Sequence, residues 1–126
     1  MDKAEHIKKA RTRLQARYQI KQAAIKVLHE QAAKDCESIL SMIVKLFDPL
    51  RVYQWGSLLR PAQFREYSDI DLAVEGITSP QAYFDMLEEA QAMTRFPVDL
   101  VQMEKILPEY ADSIRQYGRI VYERKG

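Results

Sequence analysis

Neither glycine nor proline occurs in the first 48 residues, so nothing in this stretch is a strong helix breaker. The segment is rich in Ala, Lys, Gln, Leu and Glu, which favour helix. A single helix of that length would far exceed the usual 11–12 residues or so. We therefore expect either a break near Lys34 and Asp35 or a helix of which one part projects. The apolar residues that partly follow a seven-residue repeat are Ile7, Leu14, Tyr18, Ile25, Leu28, Ala32, Ile39, Met42, Val44 and Leu46.

The first half of this segment is strongly basic. Eight Lys or Arg residues lie between residues 3 and 26, against one acidic residue, Glu5. The arm could meet an acidic partner or RNA, or simply form the solvated face of a helix. The half nearest the first strand should pack on the sheet, whereas a projecting half could bury its apolar stripe only against another chain. This predicts an interface with a partner or with a second copy of the chain.

After Pro49 the pattern changes to short strands alternating with helices. Ser79 and Pro80 are typical of a helix N-cap and its first residue, and Gly118 is typical of a helix end. These signals predict an α/β (α+β) fold, with a small mixed sheet of about four strands flanked by helices and a long N-terminal helical extension. The predicted strands are 51–55, 69–74, 97–102 and 119–123, the helices are 80–94 and 107–117, and a loop or short helix covers 57–65.

Two aspartates separated by one apolar residue stand at the start of the second strand. Asp69 and Asp71 should point to one face, because strand side chains alternate with period two. Asp99 lies within the next apolar strand and could stand beside them if the strands pair, since neighbouring strands are about 4.8 Å apart. Carboxylate oxygens are ligands for hard divalent cations such as Mg²⁺. The three residues are therefore predicted to hold metal.

A possible phosphate site precedes this pair. The strand ending at Trp55 runs into Gly56 and Ser57, after which a helical turn could begin. Glycine lets a phosphate approach the backbone, while free N–H groups and the Ser57 hydroxyl can bind it. Arg60 could reach a triphosphate or could be solvated. Phosphate beside paired carboxylates predicts a metal–nucleotide complex.

These motifs, WGSLLR, SDIDLAV and PVDLV, resemble those of the minimal nucleotidyltransferases (MNT) of the DNA polymerase β superfamily. The resemblance extends over about residues 39–122. It implies that Asp69, Asp71 and Asp99 are the catalytic and metal-binding residues, with two Mg²⁺ ions expected and ATP as the nucleotide. It also implies that the residues binding the triphosphate are Gly56, Ser57 and Arg60.

The chain departs from this pattern in the phosphate loop. Eleven residues separate Ser57 from Asp69 where the family usually has ten, and Pro61 stands where a glycine is common. Proline lacks an N–H and restricts the residue before it, here Arg60. An altered loop path is expected.

The length predicts one domain over residues 1–126. The resemblance implies that this domain consists of a basic helical extension at 1–35 and a nucleotidyltransferase core at 36–126. Cys36 is the single cysteine and is interpreted as a packing residue, which suits a reducing compartment. Without an apolar signal segment or membrane span, we expect a cytoplasmic protein and no membrane partner.

The net charge of +1 argues against a strongly electrostatic nucleic-acid binder, and RNA stays open as a partner. His6 and His29 are interpreted as surface residues.

The resemblance implies a function as well as a fold. Proteins of this type are commonly antitoxins that neutralise a helical HEPN ribonuclease toxin by adding AMP to a tyrosine. Mg²⁺-dependent transfer of AMP from ATP to a hydroxyl of such a partner is the first hypothesis. A non-catalytic antitoxin that acts only by binding is the second. The third is a nucleotidyltransferase acting on a small molecule or RNA.

Overall fold

The computed structural model describes residues 2–60, 63–65 and 68–125, and the prediction for Pro61 lies outside them. Its first element, α1, is one helix from Lys3 to Phe47. The alternative of a break near residues 34–35 is wrong: Ala32 and Cys36, on either side of these residues, both pack into the core, which favours a continuous helix there. The Asp2 side chain caps the start by accepting a hydrogen bond of 2.8 Å from the Glu5 N–H.

The helix ends where the backbone changes hand. Asp48 adopts a left-handed conformation with φ 48°, and Pro49 follows. Aspartate tolerates this conformation better than most residues, and proline disfavours continuation of the helix. Only the second half of α1 is packed, and its buried residues are Ile25, Ala32, Cys36, Ile39 and Ile43.

The rest of the described chain forms a four-stranded sheet with two further helices. Its strand order is β3-β2-β1-β4, in which β2 and β3 are parallel and the other two pairs are antiparallel. Ser79 caps α2 and Pro80 begins it, as predicted. The four predicted strands and the two predicted helices after Pro49 are all present, with bounds that differ by at most two residues. The bounds are β1 Arg51–Trp55, β2 Ile70–Glu75, α2 Pro80–Ala92, β3 Val98–Gln102, α3 Pro108–Tyr117 and β4 Arg119–Glu123, with a 3₁₀ turn at Ser57–Leu59.

The two faces of the sheet are covered differently. On one face, α1 and α2 pack over alternate residues of β2, including Ile70, Leu72 and Val74. On the other face, α3 packs over a smaller cluster that includes Tyr53 and Ala73. The odd-numbered residues of β2 point to this second face, so Asp71 shares a face with Ala73. Because α3 covers the Ala73 end, the Asp71 end remains available for a site.

No helix in the described ranges is both long enough and apolar enough to cross a membrane.

Candidate active site

Strand pairing brings the three predicted carboxylates together. Asp71 of β2 lies directly opposite Asp99 of β3 in the parallel register. Asp69 immediately precedes β2, two residues before Asp71, and so points the same way. One carboxylate oxygen from each residue falls within 4.8 Å of the other two. The cluster therefore has the dimensions of a divalent cation site.

The predicted phosphate turn lies directly against this cluster. Trp55, the last residue of β1, is opposite Asp71 in the antiparallel register, and Gly56 comes next. Gly56 has φ 82°, a conformation that L side chains rarely adopt, and a Cβ added there would lie only 2.7 Å from the Asp71 Cγ. Glycine is thus required both by the turn and by the carboxylate beside it. A phosphate approaching this backbone would also approach the three carboxylates.

The electrostatics of the cluster favour an added positive charge. Asp71 is only 7% exposed. Burial, followed by the charges of Asp99 and Asp69, raises the pKa of Asp71 to about 7. Burial and the Asp69 charge also raise the pKa of Asp99. The neighbouring charges that shift the pKa values of Asp71 and Asp99 are themselves negative, and such repulsion is unfavourable in the absence of a cation.

The residues present fit Mg²⁺. Within residues 2–60, 63–65 and 68–125, none of the three carboxylates accepts a hydrogen bond or forms a salt bridge. Their oxygens are hard ligands, which Mg²⁺ takes at about 2.0–2.1 Å while keeping several waters. Three close, unpaired carboxylates leave room for such an ion and for phosphate oxygens.

Ser57 and Arg60, the other two residues predicted to bind phosphate, lie at the two ends of the 3₁₀ turn. Ser57 begins the 3₁₀ turn, and its carbonyl accepts a hydrogen bond of 2.9 Å from the Arg60 N–H. Arg60 has an extended backbone, with φ −127° and ψ 85°, as expected for a residue before proline. It lines a cavity of about 280 Å³ together with Trp55 and Gly56. The Arg60 side chain therefore borders the space beside the phosphate turn.

Trp55, which lines this cavity, also carries a buried polar group. The indole Nε1 of Trp55 is buried and has no hydrogen-bond partner among the described residues. Tyr117 of α3 also lines the cavity. A buried donor without a partner is costly in free energy.

Two residues near the site were missed or misinterpreted from the sequence. His29 is not a surface residue: its Nε2–H donates a 3.0 Å hydrogen bond to the carbonyl of Leu58, in the turn that follows Gly56. Its ring also packs edge-on against Phe64. No spacing signal reveals this contact, because 29 residues separate its partners.

Tyr83 of α2 is the second. Its hydroxyl donates a 2.7 Å hydrogen bond to the carbonyl of Leu100, the residue after Asp99. Burial and the Asp99 charge raise the pKa of Tyr83. The tyrosine thus supports the strand that carries Asp99. Its position on an ordinary amphipathic helix gave no signal of this role.

Comparison with solved structures finds the same fold in toxin–antitoxin complexes. A structure of the toxin–antitoxin MntA–HepT aligns with a TM-score of 0.57 and 16% identity, over 73% of each chain. A toxin–antitoxin structure with AMP-PNP aligns with a TM-score of 0.59 and 19% identity, over 71% of this chain and 74% of that one. A third contains tri-AMPylated Shewanella oneidensis HEPN toxin in complex with MNT antitoxin, with a TM-score of 0.56, 17% identity and coverage of 74% and 73%. At these identities the likeness establishes the fold.

The comparison with curated proteins gives no match. The comparison with family models does: residues 37–126 match the family described as Polymerase beta, Nucleotidyltransferase. This range contains all three carboxylates, the phosphate turn and the whole sheet. The chain therefore belongs to the polymerase β nucleotidyltransferase family.

Proposed function

We propose that this protein transfers AMP from ATP to a hydroxyl of a partner protein and thereby acts as the antitoxin of an MNT/HEPN pair. The observation that carries the proposal is the contact of Gly56 with Asp71, which sets a phosphate-binding turn against three unpaired carboxylates. Family membership supports nucleotidyl transfer. The antitoxin role is supported by the similar fold of a toxin–antitoxin protein solved with AMP-PNP and of a chain in the complex of a tri-AMPylated HEPN toxin with MNT antitoxin.

Each residue of the site has a proposed role. Asp69 and Asp71 bind Mg²⁺, and Asp99 completes the ligand set or accepts the proton of the incoming hydroxyl. When bound, Mg²⁺, with two ions expected, neutralises phosphate charge and supports in-line displacement. Gly56 and Ser57 hold the β- and γ-phosphates through backbone N–H groups and the serine hydroxyl.

Arg60 borders the same space and adds positive charge beside the triphosphate. The acceptor hydroxyl oxygen forms a bond to the α-phosphorus, the bond from that phosphorus to the bridging oxygen breaks, and pyrophosphate leaves. The hydroxyl proton passes to Asp99 or to solvent.

The acceptor is proposed to be a tyrosine of a separate HEPN-type protein. In our division of the chain, residues 36–126 form the catalytic core and residues 1–35 a basic helical extension. The extension is a single helix with no covering domain in the described chain, which suits an acceptor that is itself a folded protein. The free, buried Cys36 thiol is compatible with the cytoplasmic location that we propose.

The test is a transfer reaction with the purified protein encoded by the adjacent gene. We would incubate both proteins with ATP and Mg²⁺ and look for AMP on the neighbour by intact-mass and peptide mass spectrometry. The expected result is AMP on a tyrosine, lost with Asp69→Asn and lost with EDTA. Tight complex formation without modification would replace the proposal with a binding antitoxin, and modification of RNA or a small molecule alone would also overturn it.

A further inference from the structure

The projecting half of α1 carries an apolar stripe that nothing in the described chain covers. All side chains from residue 3 to residue 24 are exposed. Ile7, Leu14 and Tyr18 are large apolar side chains that are 52%, 64% and 65% exposed. Three aligned, exposed apolar side chains on one helix indicate a contact surface.

This stripe continues the face by which α1 packs on the sheet. Ile7, Leu14, Tyr18, Ile25 and Ala32 follow one another at spacings of seven, four, seven and seven residues, which keep to one side of a helix. Ile25 and Ala32 are buried against the body of the protein. The same seam therefore runs from the core outward onto the arm, here defined as residues 3–26.

The arm also carries positive charge that is not compensated within the described residues. The basic side chains of the arm are Lys3, Lys8, Lys9, Arg11, Arg13, Arg17, Lys21 and Lys26, against the single acidic residue Glu5. None of these eight forms a salt bridge in the described part of the chain. On a helical projection, Arg17 and Lys21 lie on one side of the seam and Lys8 and Arg11 on the other. An apolar seam with basic flanks is complementary to an apolar seam with acidic flanks.

Charge argues against a second copy of the arm as the occupant. Two such arms packed along their seams would bring like charges together on both flanks, which is destabilising. Nucleic acid would satisfy the charges but leave Ile7 and Leu14 uncovered, because phosphate contacts do not need an aliphatic stripe. A protein helix with acidic flanks satisfies both features.

We infer that residues 3–26 form a docking arm for an acidic, amphipathic helix of the acceptor protein. The inference rests on the proposed function, since it names how the acceptor is held. It adds a binding surface outside residues 37–126, which match the family, and separate from the carboxylate cluster. Docking on the arm raises the effective concentration of the acceptor hydroxyl at the active site.

The test uses two matched double variants of the full chain. The front variant is Leu14→Ser with Tyr18→Ser, on the seam. The control variant is Ile20→Ser with Val27→Ser, whose side chains are as exposed, at 71% and 65%, but lie on the opposite face of α1. Both variants carry two serines in the helix and remove exposed apolar side chains. Equal helix content by circular dichroism would show that any difference comes from the face.

The purified neighbour protein is used to measure its dissociation constant and, for AMP transfer, its KM and kcat. Sedimentation gives the oligomeric state of each variant and of wild type. The front variant should weaken binding by at least about tenfold and raise KM with kcat nearly unchanged, as expected when two anchor side chains are truncated. The control variant should match wild type. Wild-type binding should weaken as salt rises.

Other outcomes overturn the inference. The front variant could bind the acceptor with wild-type affinity and transfer AMP with wild-type KM. The proposed function would then stand, but the arm would not be a docking surface. Self-association of the wild type that the front variant abolishes would assign the seam to a second copy. Loss of affinity for a labelled single-stranded RNA without loss of acceptor binding would assign the arm to RNA. If wild type neither binds nor modifies the neighbour, the proposed function fails and the inference fails with it.

Discussion

At the scale of single residues, Gly56 links the predicted phosphate turn to the carboxylate cluster of Asp69, Asp71 and Asp99. The sequence predicts its glycine requirement from the strand–glycine–serine pattern, but not the nearness of Asp71. That nearness follows from the register in which Trp55 faces Asp71, and register depends on long-range pairing. In the same way, the contact of His29 with the carbonyl of Leu58 depends on how α1 lies over the turn. Residue type and spacing thus predict the chemistry of the site, while its supporting contacts require the fold.

Gly56→Ala should abolish nucleotide transfer. The added methyl group meets the Asp71 carboxylate, and the alanine would have to adopt a positive φ, so the turn has to move. The matched control is Gly76→Ala. Gly76 also has a positive φ, at 92°, and a methyl group added there meets the Leu50 side chain, away from the cluster of three aspartates. Both should lose at least about 1 kcal/mol of folding free energy in urea titrations. Only Gly56→Ala should lose ATP binding by calorimetry, and equal ATP affinity in the two variants would contradict this role.

The buried charge of Asp71 should destabilise the protein when no divalent ion is present. Its pKa is raised to about 7 in the folded state, above its unfolded value, so the folded state holds the proton more tightly. Stability from this group is therefore full at low pH and declines as pH rises from about 4 through 7. In EDTA at pH 8, Asp71→Asn should unfold at a higher urea concentration than wild type. Its free energy of unfolding should be larger by roughly 2 kcal/mol.

Two comparisons make this prediction decisive. At pH 5 the gain from Asp71→Asn should shrink, and Mg²⁺ should stabilise wild type more than the variant. The exposed Asp85 gives a matched control, since Asp85→Asn should change stability little at either pH. A gain from Asp71→Asn that does not vary with pH would show that its charge is not the cause.

At the scale of elements, the long helix α1 has two parts with different roles. The absence of glycine and proline predicts helix over all of it, and the structure confirms one helix. The sequence did not decide whether this helix is continuous or broken, because local propensity alone does not tell one continuous helix from two shorter ones. The strands and helices after Pro49 were predicted closely because caps such as Ser79 and turn residues mark their ends.

Packing should make the two parts of α1 respond differently to truncation of a side chain. Ile39 is fully buried, whereas Ile20 is 71% exposed. Ile39→Ala should cost about 2–5 kcal/mol through lost burial and a cavity, while Ile20→Ala should change stability by less than about 0.5 kcal/mol. Urea unfolding followed by circular dichroism measures both. Similar costs at the two sites would mean that the arm is packed in solution.

At the scale of the whole molecule, the sheet assembles a site from segments distant in sequence. The turn after β1, the start of β2 and the parallel strand β3 each contribute one part. The strand order was not predicted, although a mixed sheet of about four strands was. Parallel pairing of β2 and β3 is what places Asp71 beside Asp99, and the α2 crossover makes that pairing possible. Family membership and the fold agree with this arrangement.

The most direct test of the central claim compares two labels in parallel reactions of this protein, the protein encoded by the adjacent gene and Mg²⁺. One reaction contains ATP labelled at the α-phosphate, and the other contains ATP labelled at the γ-phosphate. Nucleotidyl transfer predicts that the α-label alone becomes bound to the neighbour, with loss of that label in Asp69→Asn. Label from the γ-phosphate on protein, or no protein-bound α-label despite a stable complex, would contradict AMP transfer by the carboxylate cluster.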